Sequence, residues 1–164
     1  MRHLNKGRYL NKTASHRVAL GRNLALAMVN QFGLENREYI VTTPAKAKEY
    51  RGFIEGLITL GRDHNVAVKP ERKLAIRRQA LKLLPKPAIV KKIFDEIAPR
   101  YKDRNGGYVR IIKTGAHRLG DGSQKVLLCF VGGGQPVGAA AGTETAAAEA
   151  PAVKKPSVKA AKKE

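Results

Sequence analysis

The chain has 164 residues and a formal net charge of +19, from 32 Lys and Arg against 13 Asp and Glu. That length accommodates one compact domain with a tail. No stretch approaches the roughly 18 consecutive apolar residues of a membrane span, and a lone Cys129 excludes an intrachain disulfide and a multi-cysteine metal site.

The first 22 residues hold Arg2, Lys6, Arg8, Lys12, Arg17 and Arg22, with His3 and His16, and no carboxylate. Basic residues interrupt every apolar run there, so a secretory signal or transit peptide is not expected and a cytosolic protein is. Residues 1–12 lack hydrophobic periodicity and read as an extended basic arm. Thr13 or Ser15 can N-cap a helix to about Phe32, with Gly33 closing it and Leu20, Leu24, Ala27, Met28 and Phe32 as its buried stripe. "REYIVTT" (37–43) is β-branched and aromatic and predicts a strand. Thr43 followed by Pro44 then starts a second helix, with Ala47, Tyr50, Ile54, Leu57 and Ile58 on its apolar face and Gly61 at its end. Lys46, Lys48 and Arg51 fall on its other faces.

A third helix is expected over Glu71–Leu84, with Leu74, Ala75, Arg78 and Leu81 at helical spacing and Pro85 and Pro87 breaking it. A fourth covers about Ala88–Ile97, before Pro99. "GGYVRIIKTG" (106–115) and "QKVLLCFV" (124–131) read as two strands of a long-looped hairpin. Beyond "GGG" (132–134) the chain is Ala, Lys and Pro with almost no large apolar residue, which predicts disorder. Five lysines and three glutamates lie beyond Gly134, so +17 of the charge belongs to residues 1–134. The fold class is therefore α+β: a small mixed three-stranded sheet with helices on one face. An arm (1–12) precedes the domain (13–134), and a disordered tail (135–164) follows it.

Catalytic chemistry finds no support in this pattern. His3, His16, His64 and His117 lack metal-ligand spacing. Asp95–Glu96 and Asp103 sit among Lys91, Lys92, Arg100 and Lys102 and read as a solvated face. "GDGS" is a turn, and Cys129, within "VLLCFV", reads as a core thiol. No enzyme activity, metal or cofactor is expected.

The basic segments carry the stronger signal. A domain so charged repels itself unless a polyanion neutralises it. Three segments agree: the arm, the "KAKEYR" helix, and "PRYKDRNGGYVRIIKTGAHR". The last interleaves Arg100, Lys102, Arg104, Arg110, Lys113 and Arg118 with Tyr101 and Tyr108. Arginine binds phosphate bidentately and stacks on bases. Tyr108 either stacks on RNA or packs within the sheet.

These stretches also resemble a known family. "MRHLNKGRYLNKTASHRVALGRN", "TTPAKAKEYRGFIEGLITLG" and "PRYKDRNGGYVRIIKTGAHRLGD" look like the bacterial large-subunit ribosomal protein L-seventeen family, and the resemblance covers residues 1–131. It implies an α+β fold, no enzymatic activity, and binding to large-subunit ribosomal RNA near the peptide exit tunnel. It also implies a neighbouring small ribosomal protein, L-thirty-two. Carried onto this sequence, the RNA-binding positions are Arg2, His3, Arg8, Ser15, His16, Arg17, Arg22, Lys46, Lys48, Arg51, Arg100, Arg104, Arg110 and Lys113. Charge in the arm and hairpin adds Lys6, Lys12 and Arg118, and the stacking reading adds Tyr108. The Ala/Lys/Pro tail lies outside the common core. No homo-oligomer is expected.

Two other classes compete. An RNA-processing enzyme needs a paired-carboxylate, metal or cofactor site. A membrane-surface protein needs an amphipathic helix with an aromatic-rich face, and the chain has no Trp.

Overall fold

A computed structural model describes residues 7–34 and 38–132. The expected tail, Arg2, His3 and Lys6, and the first residue of the expected strand, Arg37, lie outside the described residues. Helix α1 spans Ala14–Gln31, strand β1 Tyr39–Thr42, α2 Pro44–Val66, α3 Pro70–Leu83 and α4 Pro87–Lys92. A π-helical turn, Ile93–Ile97, and a last helical turn, Ala98–Arg100, extend α4. Strands β2 (Val109–His117) and β3 (Gln124–Phe130) complete the α+β architecture.

The first two helices start where expected, although no helix start among the described residues makes a side-chain cap bond. Thr13, Thr43 and Lys69 are the N-caps of α1, α2 and α3, and proline occupies the first helical position of α2, α3 and α4. After α1, Gly33 takes φ +84°, a left-handed conformation that glycine adopts freely.

Helix α2 runs past its expected end at Gly61, which is a packing glycine and not a stop. A Cβ there would lie 3.0 Å from Ala98 Cβ and 3.2 Å from Phe94 Cδ1, so its bareness seats the π-helical turn against α2. The turn itself has a local cause. Ala98 N–H donates to Ile93 O, and Pro99 has no N–H to continue the ordinary ladder.

The sheet order is β1-β3-β2, and both pairings are antiparallel. The sheet is thus not mixed as expected. The helical crossover from β1 to β2 leaves a slot between them, and β3 enters it. Composition explains the choice. Val126 through Phe130 are buried on both faces, which suits a central strand. Exposed Val41 and Lys113 sit on the two edge strands.

Val126, Leu128, Phe130 and Val109 line the face that joins the core with Ile54, Leu57 and Ile58 of α2. The helical stripes of α1 and α3 differ from expectation. Helix α1 buries Gly21, Ala25, Met28 and Val29, while Ala27 is exposed. Helix α3 buries Ile76 and Ala80, with Leu74, Ala75 and Arg78 exposed. Small residues explain the first offset: a Cβ on Gly21 would lie 2.7 Å from Tyr50 Cε1, so the ring of α2 fills the space a side chain would take.

Candidate nucleic-acid interface

The described part of the arm is folded, not extended. Lys12 N–H donates to Tyr9 O at 3.0 Å, closing a turn whose central residues, Leu10 and Asn11, have φ of 51° and 52°. A left-handed leucine costs about 1–2 kcal/mol, so this turn needs external support. Arg17 supplies it: its Nη1 donates to Lys12 O at 2.9 Å, and its guanidinium lies 5.1 Å from the Tyr9 ring centre. Arg8 N–H donates to Glu49 Oε2 at 3.1 Å, and Tyr50 OH donates to Arg17 O at 2.8 Å. The arm, the start of α1 and the first half of α2 are joined by these bonds.

Ser15 and His16 are exposed at the amino-terminal end of α1, whose first turn has no acidic residue. Thr13 makes no side-chain cap bond; its Oγ1 lies 3.4 Å from Ser15 Oγ. The positive end of the helix dipole is therefore not offset by a local carboxylate. Lys48 and Arg51 are exposed on α2 and Lys46 is half-buried. No ion pair among the described residues engages these three, or Lys113. Arg22 has internal partners, donating from Nε to Leu83 O at 2.9 Å and from Nη2 to Lys82 O at 3.4 Å, where it caps the end of α3.

The second expected cluster divides. Arg100 is committed to a partner within the protein, the buried carboxylate of Glu38. It makes a bidentate pair with Glu38, Nη2 donating to Oε1 at 2.9 Å, and its guanidinium lies 4.2 Å from the Phe32 ring centre. That hydrogen bond holds the Glu38 carboxyl below its ordinary value against the opposing effect of burial, and the Gly33 N–H helps. Arg104 organises a loop: its Nε donates to Gly106 O at 3.0 Å, and its carbonyl accepts from Tyr108 OH at 3.0 Å. Tyr108 is 1% exposed and tilted against Tyr101 at 5.1 Å, so the stacking role weighed for it is corrected to a packing role.

Arg110 lies directly across from Cys129, on the sheet face turned away from the core. Its Nε is buried with no hydrogen-bond partner among the described residues. Burial pushes the Cys129 thiol up, with Arg110 opposing, in keeping with a core thiol. Lys113 and Arg118 are exposed near the tip of the hairpin, where Arg118 pairs with Asp121 at 3.7 Å.

Two features escaped sequence reasoning. Helix α3 exposes Arg72, Arg77, Arg78 and Lys82, of which Arg72, Arg78 and Lys82 share one side of the helix. Tyr9, to which the sequence pattern assigns no role, is 80% exposed. Among the described residues, no group of three His, Cys, Asp or Glu could hold a metal ion, and no helix is long and apolar enough to cross a membrane.

What this arrangement can do is bind an extended polyanion through cations on several elements. Comparison with known proteins agrees in kind. Residues 22–131 match the family model described as Ribosomal protein L17. The large ribosomal subunit protein bL17 of Trichlorobacter lovleyi is 48% identical over 121 residues, covering 74% of this chain and 86% of the relative. The Thermus thermophilus protein of the same name is 44% identical over 131 residues, covering 80% of this chain and 99% of the relative. The Agrobacterium fabrum protein, also 44% identical over 131 residues, is covered to 82%. Fold, charge distribution and these likenesses converge, and the chain belongs to the ribosomal protein L17 family.

Proposed function

We propose that this chain is a structural, non-catalytic component of the bacterial large ribosomal subunit, acting in translation in the cytoplasm. It binds large-subunit ribosomal RNA near the peptide exit tunnel, with L-thirty-two as a neighbour. The observation that carries this reading is the convergence of the folded arm, the start of α1 and the first half of α2, where Lys46, Lys48 and Arg51 have no internal ion pair. The relatives' own names, large ribosomal subunit proteins, supply the setting.

Each phosphate contacted by such a cation releases counterions, so affinity falls steeply with salt. Arg8, Lys12, Ser15, His16, Arg17, Lys46, Lys48 and Arg51 are the principal contacts of this proposal, and Arg110, Lys113 and Arg118 add contacts on the hairpin, Arg110 and Lys113 from opposite faces of β2. Arg22, Arg100 and Arg104 serve mainly to hold the fold beside them.

Photo-cross-linking from positions 8 and 48 in intact ribosomes tests the reading. Cross-links to large-subunit RNA around the tunnel exit are expected, together with a protein cross-link to L-thirty-two. A chain that sediments apart from the large subunit overturns the assignment. Cross-links confined to another region of the subunit overturn the location alone.

A further inference from the structure

Nine aromatic side chains, five Tyr and four Phe, are present, and all lie among the described residues. Eight of them are buried or half-buried. Tyr9 alone is exposed, at 80%. A ring of that size gains nothing from solvent, and the protein keeps it there at a cost. Leu10 and Asn11 adopt left-handed conformations to form the turn that Tyr9 begins. Strain of this kind persists only where surrounding contacts hold it, and it concentrates at binding sites.

The holding contacts are specific. Arg17 lies over one face of the Tyr9 ring, 5.1 Å from its centre, and the same guanidinium donates to Lys12 O at 2.9 Å. One ring face is thus covered by a cation and the ring is fixed to the start of α1. Arg8, beside it, is tied to α2 through Glu49.

We propose that Tyr9 is a stacking platform for an unpaired nucleobase of RNA. The proposal rests on the RNA-binding reading above and adds a contact that is not to phosphate. Charge selects the occupant. Arg8, Lys12, His16 and Arg17 surround the position in sequence, no carboxylate occurs in the first 22 residues, and Glu49, bonded to Arg8 N–H, offsets only one of these charges. An apolar protein segment would gain nothing from that field, whereas an RNA strand brings its phosphates to the cations while a base covers the ring. The arginine behind the ring draws electron density from it and favours an electron-rich purine on the open side.

Because the chain has no Trp, Tyr9→Trp places a single reporter at the site. Titration of this variant with large-subunit ribosomal RNA is expected to quench its fluorescence. Tyr9→Leu is expected to weaken RNA binding by about 5- to 100-fold, the range of base–aromatic stacking, with the salt slope unchanged. Tyr9→Phe is expected to bind like the parent protein. Heparin, a polyanion without bases, is expected to bind the parent and Tyr9→Leu equally. All three variants keep the parent's thermal midpoint, since the ring is outside the core.

Equal RNA affinity for the parent and Tyr9→Leu, or an unquenched Tyr9→Trp in a bound complex, overturns the stacking proposal and leaves the ribosomal reading standing. An equal loss of heparin and RNA binding in Tyr9→Leu overturns it too, by showing that the ring only positions Arg17. A parent protein without salt-dependent RNA affinity overturns both.

Discussion

Arg100 and Lys48 carry the same formal charge, and the fold uses them in opposite ways. Arg100 reaches across 62 positions of sequence to Glu38, whose side chain is 8% exposed, and covers the Phe32 ring. Lys48 is exposed and joins no ion pair among the described residues. Removing the partner of a buried carboxylate leaves that charge desolvated and unpaired. Arg100→Met is therefore expected to lower the unfolding free energy by about 1–3 kcal/mol, and Lys48→Met to change it by less than about 0.5 kcal/mol. Urea denaturation measures both. The pH dependence has a definite sign. A carboxyl held low in the folded state contributes stability that is complete above its ordinary value of 4.5 and lost as pH falls through the lower folded value. The gap between the parent and Arg100→Met is thus expected to narrow on acidification below about pH 4.5. A constant gap would mean that ionised Glu38 is not what Arg100 stabilises. None of this was legible in the sequence, where Arg100 stood among other cations. Pairing between residues so far apart is decided by the fold and not by local pattern.

Element boundaries and stripes were legible where the local signal was strong. The Thr43–Pro44 start and the apolar face of α2 lie where spacing placed them, because β-branched and large aliphatic residues at 3.6-residue spacing leave one way to face a core. Helix α1 was misread because its contact with α2 is built from small residues. Tyr50, its hydroxyl bonded to Arg17 O, occupies the space above Gly21. The sheet is antiparallel and not mixed as expected, because alternation within a strand does not say which strand lies in the middle or how it pairs; only the continuous apolar run of β3 carried the first of these. Glycine substitutions separate these roles. Gly21→Ala would place a methyl 2.7 Å from Tyr50 Cε1, and the ring cannot move without breaking its bond to α1. It is expected to destabilise by about 1–3 kcal/mol despite alanine's better helix propensity. Gly52 and Gly56 lie on α2 with nothing within 4 Å of the added atom. Gly52→Ala and Gly56→Ala are each expected to stabilise by about 0.5–1 kcal/mol. Denaturant midpoints that rank all three alike would refute this account of the α1–α2 contact.

At the scale of the whole molecule, the excess of cations was legible from composition alone, and the stretches shared with the L17 family were legible in the residues. What composition could not show is how many cations are free to meet a phosphate, because internal partners hold Arg22 and Arg100. Counting free cations turns the site into a measurement. If Lys48 and Arg51 each meet a phosphate, replacing both with Gln is expected to reduce the magnitude of the salt slope of RNA binding by about two units. The thermal midpoint of the free domain should not fall. A slope unchanged by the double replacement would remove α2 from the interface. The net charge also acts on the protein without RNA. Exposed cations spread over the arm, α2, α3 and the hairpin repel one another across distances comparable with the screening length, about 10 Å at 0.1 M salt. The ion pairs that salt would weaken are four among the described residues, and in the Glu38–Arg100 pair the carboxylate is buried. Repulsion therefore outweighs attraction in the screened balance. Raising salt from about 0.05 to about 0.5 M is expected to raise the thermal midpoint of the free protein while it weakens RNA binding by orders of magnitude. Calorimetry of the free chain and RNA titrations across the same salt series read the two responses. A midpoint that falls with salt would show that surface ion pairs, and not uncompensated cations, dominate the electrostatics of the folded domain.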